Sequence, residues 1–228
     1  MYKYQRTIKK AISFSGIGLH TGTHSNIKLK PAKNDVGIVF LILDSNKKIQ
    51  IKANFKNIID TQRGTTLGKG KYKIHTVEHL LAAVYAHGID NLFIEIDNIE
   101  PPILDGSSKD FYIGILNVGI NKLSKLRKII IIKKPIYFLD AKNDVEMSIL
   151  PYDGFKVTFN AEYNYGKIGK QSYILNSIKD FYPKIYSART FCSIGELSYL
   201  KNNNLIQGAS LDNGIVFSYD HMFNQKWG

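Results

Sequence analysis

Apolar and polar residues alternate along much of the first 72 positions, the period-2 pattern of strands half buried in a sheet. The runs are Thr7 to Phe14, Asn26 to Leu29, Val36 to Leu43 and Ile49 to Phe55, with a hairpin around Leu67 to Lys71. A glycine-broken turn, Gly16-Ile17-Gly18-Leu19-His20-Thr21-Gly22, follows the first run. The period then changes. Val77, Leu80, Leu81 and Val84 recur at helical spacing and predict a helix from about Thr76 to a left-handed stop at Gly88. Leu92, Ile94 and Ile96 return to alternation, Pro101-Pro102 turns the chain, and Ser107 or Ser108 caps a helix that runs to Val118 and stops at Gly119.

Asn121 to Lys128 is polar and basic, and marks a linker between a first domain, 1–120, and a second, 129–228. After it the order repeats. Strands are expected at Ile129 to Ile132, Tyr137 to Leu139, Val145 to Leu150 and Phe155 to Tyr163, then helices near Ser177 to Ile185 and Ile194 to Lys201, then a strand from Ile215 to Tyr219. Both halves run strands first and helices late, which predicts an α+β fold of two similar domains, each a sheet with two helices on one face. The second lacks a closing helix and is about 50 residues short of the roughly 120 in the first, so it is expected to be incomplete.

A length of 228 residues suits two such domains. No run approaches the roughly 20 apolar residues of a membrane span, and the start Met1-Tyr2-Lys3-Tyr4-Gln5-Arg6 has no signal-peptide core behind it, which points to the cytoplasm. The formal net charge of +12 raises a non-catalytic basic module that binds nucleic acid. Against it, 27 of the 31 basic residues are lysines scattered along the chain, and arginine forks are the commoner phosphate readers, so no nucleic acid partner is expected. The single cysteine, Cys192, rules out an internal disulfide and a cysteine-rich zinc cluster. Gly16 and Gly18 lack the third glycine of a dinucleotide site, which argues against a nucleotide cofactor.

Chemistry concentrates at the start of the first helix. His75, Glu78 and His79 spell His-x-x-Glu-His, the inverted zinc-peptidase pattern, in which two imidazoles four residues apart ligate zinc and the carboxylate takes a proton from metal-bound water. A solvated helix start accounts for the same residues, with Glu78 favoured by the positive end of the helix dipole.

Several further stretches resemble one family, the zinc-dependent UDP-3-O-acyl-N-acetylglucosamine deacetylases of lipid A synthesis. They are Gly16 to Gly22, Thr76-Val77-Glu78-His79-Leu80, Gly88-Ile89-Asp90-Asn91 and Pro102-Ile103-Leu104-Asp105-Gly106-Ser107, then Ile168-Gly169-Lys170-Gln171, Ala188-Arg189-Thr190-Phe191 and Gly208-Ala209-Ser210-Leu211-Asp212-Asn213. The resemblance implies a two-domain enzyme acting on a UDP-linked acylated amino sugar, with its active site in the cleft between domains. It implies Glu78 as general base, His79 as a zinc ligand, Thr190 as a hydroxyl that helps hold the oxyanion and Phe191 as an aromatic against the sugar. It also implies an insert at about 192–214 in which Leu197, Ile206, Ala209, Ser210 and Gly214 line an apolar passage for the acyl chain. Composition alone allows a small satellite core there. Arg63-Gly64-Thr65 matches a loop that serves the site through its backbone, and His75 lies outside the family's motif and is kept as a surface residue.

The family's other two zinc ligands lie in a His-Lys-x-x-x-Asp segment, with a catalytic histidine beyond, and neither occurs in this sequence. His221 precedes that segment and is expected in a surface loop. A catalytic zinc site takes about three protein ligands plus water, so this chain is expected to be a C-terminally truncated, inactive deacetylase, with a separate C-terminal fragment as a candidate partner.

Overall fold

The computed structural model describes residues 2–44, 47–163 and 168–224. The first half contains β1 (Tyr4–Ile8), β2 (Ile12–Ile17), β3 (His24–Pro31), β4 (Ile38–Asp44) and β5 (Lys47–Lys52). These are followed by β6 (Ile58–Asp60), β7 (Thr66–Lys69), β8 (Tyr72–Ile74), α1 (Glu78–Ala86), β9 (Leu92–Ile96), α2 (Lys109–Val118) and β10 (Ile120–Leu126). A five-stranded sheet has the order β2-β3-β9-β4-β5, with β4 parallel to β9 and the other neighbours antiparallel. The expected first run, Thr7 to Phe14, is broken at residues 9–11 into β1 and β2.

Alternation decides which face is covered. Ile27 and Leu29 of β3, Phe40 and Ile42 of β4, and Leu92, Ile94 and Ile96 of β9 all point into one core with Leu80, Ala83 and Val84 of α1 and Phe111 and Ile115 of α2. Both helices therefore lie on the same sheet face, as expected of this half. Phe14 closes the layer by packing edge-on against Phe111, ring centroids 5.0 Å apart. Gly88 has φ +65° and donates its N–H to the carbonyl of Tyr85, the left-handed stop expected of it. Of the two candidate caps for α2, Ser107 does the work: its hydroxyl accepts the Lys109 N–H at 3.1 Å.

Residues 121–128 depart from the expected linker. Most of them form β10, which pairs antiparallel with β1 in a separate two-stranded ladder. Lysine and asparagine serve well there, because apart from half-buried Ile120 and Leu123 this strand is exposed, and charge protects its open edge.

The second half contains β11 (Ile136–Asp140), β12 (Val145–Ile149), β13 (Val157–Glu162), β14 (Lys170–Leu175), α3 (Phe181–Lys184), β15 (Phe191–Ser193), α4 (Leu197–Asn202) and β16 (Ile215–Phe217). The fold is thus α+β throughout, yet the expected second sheet is not assembled among the described residues. β11-β12 and β13-β14 are separate hairpins, and β15-β16 is a short parallel pair. The strand expected at Ile129 to Ile132 is absent: these isoleucines have no regular structure and no ladder partner, and an apolar run alone specifies no register. The buried apolar residues of this half are Leu175, Phe181, Leu200, Ile206 and Phe217. Phe181 belongs to an aromatic group in which Tyr112 of α2 stacks on Tyr182 at 5.4 Å, which seats α3 against the first half.

Candidate functional site

The backbone before α1 explains why the helix begins where it does. Thr76 has φ +52°, a left-handed conformation rare for a β-branched residue, and its hydroxyl donates to the buried carboxylate of Glu100 at 2.7 Å instead of capping the helix. The helix therefore starts at Glu78, two residues later than the expected start. His75 lies outside the helix, so its spacing from His79 does not stack the two rings. It is also half-buried, not a surface residue: its Nδ1 pairs with the Thr66 hydroxyl at 2.9 Å, its N–H donates to the Ile99 carbonyl, and burial holds its pKa below 6.5. The paired-imidazole peptidase geometry is not formed.

Glu78 and His79 form the core of the candidate site. The side chain of Glu78 is 38% exposed at the positive end of α1, and its Oε2 accepts the Thr65 N–H at 2.9 Å. Its Oε1 is left 4.0 Å from Nε2 of His79, whose side chain is 18% exposed. Burial pushes the His79 pKa down against the opposing charges of Glu78 and Asp105, which favours the neutral ring with an available lone pair. One oxygen of the carboxylate is therefore fixed and the other is free to take a proton.

The second half reaches this place through the turn after Ile103. The Thr190 N–H donates to the Gly106 carbonyl at 2.8 Å, and its own carbonyl accepts the Ile215 N–H. Arg189 spreads its guanidinium over two carbonyls, Nε to Asp105 at 2.7 Å and Nη2 to Leu211 at 3.1 Å. Asn213 folds the next turn by accepting the Ser210 N–H and donating to the Gly208 carbonyl. These contacts bring two motifs, 188–191 and 208–213, onto the third, 102–107, whose Asp105 carboxylate acts on His79.

Among the other expected site residues, Phe191 is exposed on β15, edge-on to Tyr163 with centroids 5.5 Å apart. Ile206 is buried, Leu197 and Gly214 are half-buried, and Ala209 and Ser210 are exposed. His221 lies in an exposed turn against Phe223. Cys192 is half-buried and its thiol is pushed up by burial and by Glu196.

Sequence reasoning missed two residues. Glu100, fully buried, accepts N–H groups from His20 and Thr21 as well as the Thr76 hydroxyl, and so ties the glycine turn to the start of α1. Asp105, whose charge acts on His79, stands in the sequence only as one residue of the 102–107 motif. Nothing in the local sequence marks Glu100, because its donors come from residues 20, 21 and 76, distant along the chain.

Zinc fits these residues at one corner. A neutral imidazole beside a carboxylate is the right chemistry for a ligand and a base, but no group of three or more His, Cys, Asp or Glu among the described residues is placed to hold a metal ion. No helix among the described residues is long and apolar enough to cross a membrane.

Comparison with known proteins matches residues 5–227 to the family LpxC, UDP-3-O-acyl N-acetylglycosamine deacetylase. The chain is 42% identical over 214 residues to the UDP-3-O-acyl-N-acetylglucosamine deacetylase of Thermodesulfovibrio yellowstonii, covering 93% of this chain and 72% of that protein. It is 39% identical over 222 residues to the enzyme of the same name from Syntrophotalea carbinolica, covering 97% and 71%. It is also 39% identical over 217 residues to the bifunctional enzyme LpxC/FabZ of Chlorobaculum tepidum, of which it spans 46%. With a match running almost end to end, and relatives 39–42% identical over most of the chain, the chain belongs to the UDP-3-O-acyl N-acetylglycosamine deacetylase family.

Proposed function

We propose that the chain carries the general-base half of a zinc-dependent deacetylase that removes the N-acetyl group from a UDP-linked 3-O-acylated amino sugar, a cytoplasmic step of lipid A biosynthesis. The observation that carries this reading is the carboxylate of Glu78, with Oε2 held by the Thr65 N–H and Oε1 free beside the neutral ring of His79.

Zinc, when bound at His79, supplies a water whose pKa falls from 15.7 to about 7 and a positive charge near the acetamide oxygen. The protein's residues do the rest. Glu78 takes the proton from the attacking water and returns it to the departing amine. The Thr190 hydroxyl donates to the oxygen that becomes negative during attack. Phe191 offers a ring face to the sugar, and Leu197, Ile206, Ala209, Ser210 and Gly214 line the acyl chain's path. His79 is one ligand, and no second or third is grouped with it among the described residues.

Acetate release tests this. The chain is incubated with zinc and the UDP-sugar, alone and with the part of the Thermodesulfovibrio enzyme that it does not match. Release is expected only in the mixture, and Glu78→Gln is expected to lower it about 10²- to 10⁴-fold. Undiminished release with Glu78→Gln would overturn the assignment of the base. Equilibrium dialysis gives a second check, because the zinc held by the mixture should drop when His79→Ala is used.

A further inference from the structure

Residues 193–208 are fastened to the first half at both ends, and the fastenings meet at the loop that orients Glu78. At one end Arg63, whose backbone has φ +58°, directs Nη2 to Oε1 of Glu196. Glu196 is fixed beforehand: its Oε2 accepts the Ser193 N–H at 3.1 Å, and the Ser193 hydroxyl accepts the Gly195 N–H, a reciprocal cap. At the other end, three successive N–H groups are donated to the glycine turn. Those of Ile206, Gln207 and Gly208 go to His20 Nδ1, the His20 carbonyl and the Leu19 carbonyl at 3.3, 3.2 and 3.0 Å.

His20 joins the two ends. Because its Nδ1 accepts from Ile206, the ring proton sits on Nε2, which donates to the Arg63 carbonyl at 3.3 Å. The backbones touch closely enough that a Cβ on Gly208 would lie 2.2 Å from the Gly18 carbonyl oxygen. Under this bridge is a cavity of about 240 Å³, roofed by Asn204 and Leu205 and floored by Gly64, His75 and Thr76. Arg63 is two residues from Thr65, and a Cβ on the intervening Gly64 would lie 3.2 Å from Glu78 Oε1. Thr65 is held from the far side by the Val77 N–H, which donates to its carbonyl at 3.3 Å, so the Arg63 side is where a turn of this loop would carry the Thr65 N–H off the carboxylate.

We propose that Arg63 is a positioning residue: by pairing with Glu196 it clamps the 193–208 segment over the cavity and locks the loop whose Thr65 N–H aims Glu78. This rests on the reading of Glu78 as the base. Seating of the segment and orientation of the base are then one event, so a protein with the segment lifted holds its carboxylate out of register.

Amide hydrogen exchange measured by NMR on the full chain tests it. The pair is partly exposed, and such pairs shift an equilibrium by at most about fivefold, so Arg63→Ala should speed exchange about two- to fivefold. The increase is expected at the 206–208 amides and at Thr65 together, with the β9 amides unchanged. Glu196→Gln should give the same signature from the other side, and Arg63→Glu with Glu196→Arg should restore slow exchange at both places. Faster exchange at 206–208 alone, at neither place, or undiminished in the charge-swapped protein overturns the proposal. Unchanged β9 amides certify that each variant is folded. Failure of the base assignment shows elsewhere, as undiminished acetate release by Glu78→Gln, and leaves this exchange pattern untouched.

Discussion

Gly106 carries no side chain because Asn213 occupies the space. Its φ is +87°, and a Cβ there would lie 2.2 Å from the Asn213 carbonyl oxygen, so alanine meets both an unfavourable backbone region and a rigid obstacle. Gly106→Ala should cost about 1–3 kcal/mol in urea unfolding and should expose the Thr190 amide, which donates to Gly106, to faster exchange. An unchanged midpoint with a protected Thr190 amide would refute this. Glu100 poses the opposite problem, a side chain that cannot be removed. Three donors converge on it in a fully buried place, and each left unmade costs about 1–3 kcal/mol, so Glu100→Ala should destabilise by about 3 kcal/mol or more. A loss under 1 kcal/mol would show that water replaces the carboxylate.

At the scale of elements, α1 was legible because its stripe is unambiguous: Val77, Leu80 and Val84 are buried where the 3.6-residue period put them. Leu80→Ala should therefore cost about 2–5 kcal/mol, judged by the thermal midpoint. Its start was not legible, because Thr76 looks like an N-cap and only the distant Glu100 diverts its hydroxyl. The same limit applied to β10, where Asn121 to Leu126 is exposed apart from half-buried Leu123 and so leaves no periodic signal, and to the Glu100 network, which is set by tertiary contact alone. The end of α1 carries a pH response. His87 donates Nε2–H to the Tyr112 carbonyl at 2.9 Å and stacks on the Tyr112 ring at 4.0 Å. Burial pushes its pKa below 6.5, outweighing the backbone bond that favours the charged form. The unfolded chain therefore binds this proton at higher pH than the folded one, and stability falls as pH drops below about 6.5 towards the folded value. Urea midpoints between about pH 7.5 and 5.5 should fall, and His87→Gln should flatten that slope. An identical slope in the variant would assign the effect to other groups.

For the molecule as a whole, burial is uneven in a way that sets its behaviour in solution. The 18 residues of the main core cluster all lie within residues 8–115. The hairpin β11-β12, by contrast, exposes apolar side chains on both faces: Tyr137 and Leu139 on one, Ile136 and Phe138 on the other, with Met147 and Ile149 beside them. Leu139 is 71% exposed and Ile130, just upstream, 89%. A half-solvated sheet ordinarily keeps one apolar face covered, so this surface is sticky towards any apolar partner, another copy included. A net charge of +12 opposes self-association, but that repulsion is screened beyond about 8 Å at physiological salt whereas apolar contact is not. Association should therefore grow with salt, the reverse of what charge-driven binding to an anionic polymer would do. Sedimentation of the isolated chain should show mass rising with concentration, more steeply in high salt, and binding of an apolar dye. Ile130→Lys with Leu139→Lys should suppress both while leaving the unfolding of the first-half core where it was, because neither side chain touches that core. A chain that stays monomeric across the salt range, or a double variant that also lowers the core's midpoint, would show that this face is satisfied within the molecule.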